Sequence, residues 1–239
     1  MKQPLIYFTL VCALFLTSCQ KHESSVPRKD ALQKGNQLLD EGHYDEAIDY
    51  FTDLLQDDNS PQFRLALASA YAARAGLRRS DFIAIADVAL MKKAVPSDWS
   101  DIFKTLYFIQ TLKERWDYLP SAKLEGLQDL KMAIATLEPS SAPSVRLFSA
   151  ALRTIYIKST MGPGLDKWLQ LDHKDLCRQN LAPLLKWSEN LVIELQALVV
   201  DIAGAYPSKK EQFKKVQQDL ENAHSQIQEW SAERSVLCP

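Results

Sequence analysis

Glycine is scarce in this chain, with 7 among 239 residues and none between Leu77 and Glu125. Combined with abundant Ala, Leu, Lys, Gln and Glu, that scarcity is a helix-forming composition. Catalytic signatures are missing too: there is no GxSxG elbow, HExxH, CxxC, P-loop or dinucleotide glycine fingerprint. An excess of basic charge is also missing, since 28 Lys and Arg stand against 30 Asp and Glu. A near-balanced surface gives no electrostatic case for nucleic acid. Four histidines and four cysteines leave little material for a metal centre. These absences favour a non-enzymatic, cofactor-free helical protein.

What is present begins at the N-terminus. Residues Leu5 to Leu16 form an apolar run behind a single Lys2, which matches a secretory h-region and falls short of the roughly 20 residues a membrane-spanning helix needs. Leu16-Thr17-Ser18-Cys19 follows and resembles the lipobox of bacterial lipoproteins. The resemblance implies that residues 1–18 are a lipoprotein signal peptide and that Cys19 becomes the acylated first residue. A plain signal peptide with a chance cysteine is the other reading. Several acyl chains, at about 0.8 kcal/mol per buried methylene, would hold the chain on a membrane. Gln20 stands where aspartate would retain an enteric lipoprotein at the inner membrane, so the resemblance implies the periplasmic face of the outer membrane. Residues 19–29 carry Ser24, Ser25 and Pro27 without apolar periodicity and read as a lipidated flexible tether.

After export and lipidation, Cys177 and Cys238 remain as thiols in an oxidising compartment. Between them lie two helical stretches, near 174–202 and 208–234, separated by Gly204-Ala205-Tyr206-Pro207. Folded back as an antiparallel hairpin, their near-equal arms bring the two sulfurs to one end. A bridge there would contribute roughly 2 to 4 kcal/mol; two unpaired thiols is the alternative.

From Ala31 the text runs ALQKGNQLLDEGHYDEAIDYFTDLLQDDNSP, with apolar residues at helical spacing on both sides of DEGHYD. Gly35, Leu38 and the Gly42 turn, then Tyr44, Ala47, Phe51 and Leu54, resemble a tetratricopeptide (TPR) repeat. Gly35 and Ala47 would let two helices approach while Tyr44 and Phe51 fill the gap to the next repeat. PQFRLALASAYAARAGL supplies a second helix A through Ala68, Tyr71 and Gly76, with Gly76 one residue late, and RRSDFIAIADVALMKK lacks the helix B landmarks. Helices are also expected over 101–118 and 144–161, and SAKLEGLQDLKMAIATLEPSSAPS resembles a helix B. Gly162, Pro163 and Gly164 are expected to break the series in a loop. The fold class implied is all-α: a TPR-like helical-repeat solenoid over 30–165, with a C-terminal helical hairpin over 166–239 packed on it.

The resemblance also implies a partner-binding groove lined by helices A. Asn36, Leu39 and Asp40 represent it in the first repeat, and Ser69, Ala72 and Ala73 in the second. The small residues suit an inserted segment or equally the protein's own close packing. Arg74, Arg78 and Arg79 form a basic cluster, read as a solvated helix end or a carboxylate-reading patch. Trp168, beside the Gly-Pro-Gly stretch, could line a ligand pocket with Arg74. His173 and Cys177 share a helix face with metal-ligand spacing, but a helix start capped by Asp172 beside a disulfide cysteine explains them as well. His43 reads as a solvated turn residue. Two functions follow from analogy with similar lipoproteins. One is a scaffold that holds another envelope protein in assembly or secretion; the other is a ligand-binding lipoprotein associated with a periplasmic transport system, taking a small molecule.

Overall fold

The computed structural model describes residues 26–78, 80–82, 118–169 and 182–232, with only the backbone described for 26–28, 163–169, 182, 184 and 230. Every regular element among the described residues is helical, so the chain is all-α. The helices are α1 (Val26–Asp40), α2 (Tyr44–Asp57), α3 (Pro61–Arg74), α4 (Leu127–Leu137), α5 (Pro143–Leu169), α6 (Ala182–Ala205) and α7 (Lys210–Ala232). Short 3-10 turns at Leu124–Gly126 and Pro207–Lys209 lead into α4 and α7.

Each helix packs on its neighbours in this order, and α3 also touches α1 and α5. Two apolar clusters hold the stack together. Ala47, Ile48, Phe51, Phe63, Ala66, Leu67 and Ala70 join α1, α2 and α3. Ala68, Ala72, Leu130, Ile134, Leu137, Leu152 and Ile155 join α3, α4 and α5. Helix α3 is therefore buried on two sides, which explains alanine at 66, 68, 70, 72 and 73: small side chains let neighbours approach from both directions. Fully buried Phe51, Leu130, Leu137, Leu152 and Ile155 each stabilise the fold by roughly 1.5 to 3 kcal/mol.

Helices α1 and α3 end in the same way. Gly42 has φ +82° and Gly76 φ +87°, a backbone region closed to most side chains. After α1, Gly42 N–H donates to Leu39 O and His43 N–H to Leu38 O; after α3, Gly76 N–H donates to Ala73 O and Leu77 N–H to Ala72 O. These paired bonds satisfy the last carbonyls and stop the helix. The two turns set a register of 34 residues, from 42 to 76. Gly76 thus repeats the backbone conformation and the paired bonds of Gly42.

Three boundaries differ from those read in the sequence. Helix α1 starts at Val26, inside the stretch 19–29 taken as tether. Helix α5 continues through Gly162, Pro163 and Gly164 to Leu169, so the expected loop is helical and the division at 165/166 falls inside a helix. Proline's fixed φ is compatible with a helix, although a proline inside one gives up the bond to the carbonyl four residues back and crowds that carbonyl. The hairpin turn at Tyr206 falls where expected, and α7 folds back along α6 to bring His224 within 3.7 Å of Glu189. The expected helix at 101–118 lies outside the described residues except for Tyr118. No single helix among the described residues is long and apolar enough to cross a membrane.

Candidate functional site

Gly35 sits on α1 directly beneath the ring of Phe51. A Cβ there would lie 2.1 Å from Phe51 Cζ, so only glycine admits the ring at this crossing. That contact fixes the rotation of α1. It leaves Asn36 and Asp40 exposed and Leu39 half-buried against the first apolar cluster.

On α3, Ser69 and Ala73 are half-buried, and the Ser69 hydroxyl donates to Leu65 O at 2.7 Å. Ala72 is 2% exposed and belongs to the second apolar cluster, with Leu77 and Leu130. In the 34-residue register Ala72 takes the place of Leu38, and Ser69 that of Gly35; Ala72 therefore serves the protein's own packing against α4. Of the expected groove residues, Asn36 and Asp40 are exposed and Leu39, Ser69 and Ala73 half-buried.

Arg74 closes the C-terminal end of α3. Its guanidinium donates Nε and Nη2 to the two carboxylate oxygens of Asp129, at 3.0 and 2.6 Å, and Nη1 to Asp45 at 2.5 Å. It also lies over the Tyr71 ring, 5.5 Å from the centroid. The hydrogen bonds that Asp129 and then Asp45 accept hold its proton more tightly than in a free arginine. Arg74 thus ties the N-terminal turns of α2 and α4 to the end of α3, and its donors are engaged there rather than presented to a ligand. Arg78 is exposed, and its backbone N–H donates to Asp81 Oδ2 at 2.6 Å.

A second ionic cluster was not anticipated from the sequence. Asp201 of α6, 1% exposed, accepts from Arg146 Nη1 at 2.8 Å, Ser149 Oγ at 2.7 Å and Arg153 Nε at 3.2 Å. Arg153 continues to Glu194 at 2.9 Å and to Glu138 at 3.3 Å. Burial works against the Arg153 charge, but the Glu194 hydrogen bond and the charge of Asp201 outweigh it and push its pKa up. Arginines seven apart on α5 thus face carboxylates seven apart on α6. The heptad spacing was the available signal, together with one aspartate inside the apolar run LVIELQALVVDIAGA.

His43 caps the start of α2, exposed, with Nδ1 3.3 Å from Glu46. Trp168 lies on the last turn of α5, and its side chain is outside the described residues, as are Cys19, Arg79, Asp172, His173, Cys177 and Cys238. Among the described residues no group of three or more His, Cys, Asp or Glu side chains is placed to hold a metal ion.

No family model matches the chain, and no curated protein or solved structure matches it either.

Proposed function

We propose that the chain is a lipid-anchored, periplasm-facing scaffold of the outer membrane whose TPR-like stack holds another envelope protein and performs no chemistry itself. The observation that carries this reading is the repetition between α1–α2 and α3–α4. The helix A ends are alike and 34 residues apart. The second helix of each pair buries the same spacing: Ala47, Ile48 and Phe51 in α2, and Ala133, Ile134 and Leu137, preceded by Leu130, in α4.

Helix α4 packs antiparallel on α3, with Arg74 against Asp129 at one end and Arg64 donating to Thr136 O at the other. On this reading α4 is the helix B of the second repeat, and the residues between Gly76 and Gly126 are an insertion within that repeat. Gly126 seats the returning chain, since a Cβ there would meet Ala75 O at 2.6 Å. A stack whose helices are committed to one another leaves its function to the exposed face, here the α1–α3 surface around Asn36, Asp40 and Ala73. The transport-associated reading would need a cation other than Arg74 in its pocket.

The test is native mass spectrometry of the protein extracted in mild detergent from its own membranes. The scaffold reading expects a second protein in the complex and a mature mass that begins at an acylated Cys19. A chain carrying only its lipid and a small molecule would overturn it in favour of the ligand-binding reading, and an unacylated chain would overturn the anchor.

A further inference from the structure

The turn between α6 and α7 carries four lysines, Lys209, Lys210, Lys214 and Lys215, all exposed. Only Glu211 opposes them in the stretch 206–216, and it pairs with Lys214 at 2.6 Å. Among the described residues no carboxylate is paired with Lys209, Lys210 or Lys215. Beyond this stretch α7 reverses sign: residues 217–232 hold Asp219, Glu221 and Glu229 and neither lysine nor arginine.

Of the four lysines, Lys210 stands in the first turn of α7, where a cation is disfavoured, beside Glu211, which is favoured there. Lys209, Lys210 and Lys215, without a carboxylate partner inside the described fold, point outward, to a function. The surroundings of the lysines suggest which. Tyr206, 46% exposed, and Val216, 42% exposed, stand beside them at a convex hairpin tip. An amphipathic tyrosine among flexible lysines is the composition that settles at the headgroup level of a bilayer. Clustered lysines next to a membrane bind anionic headgroups, and the attraction fades within a Debye length.

We infer that the α6–α7 tip, centred on Lys209, Lys210, Lys214, Lys215 and Tyr206, docks on an anionic phospholipid surface. The contact is additional to the acyl anchor and independent of what the α1–α3 face holds. It would fix the orientation of the stack on the membrane, which a tether alone leaves free.

The test is residue-resolved acetylation of the full chain by a water-soluble reagent, on vesicles of pure phosphatidylcholine and on vesicles with a third phosphatidylglycerol. On the anionic vesicles at low salt, the four tip lysines should label at least about threefold more slowly, while Lys131 and Lys186 keep their rates; molar salt should restore labelling. In Lys209→Gln/Lys210→Gln, the protection of Lys214 and Lys215 should fall. Equal labelling on the two vesicle types, or protection that survives molar salt, overturns the inference. So does protection produced by soluble polyglutamate but not by anionic vesicles, which would assign the tip to an acidic protein.

Discussion

Arg153 and Asp201 meet across the seam between α5 and α6, Nε to Oδ2 at 3.2 Å, with 8% and 1% of their surfaces exposed. Around them Arg146, Ser149 and Glu194 complete the hydrogen bonding, so the charges are paired although withdrawn from water. The seams among α1 through α5 rest on the two apolar clusters. Polar pairing at this seam specifies how α6 is rotated and in which register it sits, because a slip of one turn would strand each charge.

Removing one member of this cluster should cost far more than removing a surface pair. Asp201→Asn removes the charge that Arg146 and Arg153 share and puts an amide NH2 where one acceptor oxygen stood, and a loss of about 3 to 5 kcal/mol is expected by urea denaturation. Lys186→Ala, which breaks an exposed pair with Glu189, should cost about 1 kcal/mol or less. Equal losses from the two variants would show that the seam is not energetically special.

Gly35→Ala raises helix propensity by up to about 1 kcal/mol, yet the new methyl would overlap a ring that is fully buried. Overpacking of this kind costs about 1 to 3 kcal/mol, so a net loss of stability is expected. Adding Phe51→Leu should make the alanine less harmful than it is in the parent, a coupling read from a double-mutant cycle. A stabilised Gly35→Ala protein would contradict the crossing.

Gly42→Ala and Gly76→Ala should be alike. Both force a side chain into the left-handed region, at about 1 to 2 kcal/mol each, and both occupy the same place in a 34-residue register. Thermal melts in which one substitution is costly and the other neutral would contradict the equivalence of the two helix ends.

The pH dependence has a definite sign. Arg74 and Arg153 have raised pKa values in the folded state, so their stabilisation is complete through the neutral and mildly alkaline range and is lost only in strong alkali. Glu189 behaves in the opposite way. Its hydrogen bond from Lys186, with further bonds from Gln228 and His224, lowers its pKa from 4.5. Its contribution is present above 4.5 and disappears as pH falls through the folded value. The gap in urea midpoint between the parent and Glu189→Gln should therefore be open at pH 7 and narrow progressively as pH falls below 4.5. A gap unchanged in acid would show that Glu189 acts by packing alone.

Much of the helical framework was legible in the sequence. The periodicity around Gly35, Gly42 and Phe51 located α1 and α2, and Gly204 to Pro207 marked the turn into α7. Periodicity says that a face is apolar and does not say which helix covers it. The partner of α3 was sought in the residues that follow it, whereas α4 arrives from 50 residues downstream and completes the packing. Ala72 was assigned to a groove for the same reason: a small residue suits a ligand or a close helix equally well, and the neighbour decides. Pro163 and its flanking glycines signalled a break that the continuous helix α5 does not make.

The scaffold account is tested most directly by placing a photo-crosslinking residue at Asn36, Asp40 or Ala73 in the full chain in living cells, with Thr52 and Gln128, exposed on α2 and α4, as controls. The account predicts the same discrete protein adduct from the three positions on the α1–α3 surface and none from the controls. Adducts of equal yield from all five positions, or from the controls alone, would contradict it.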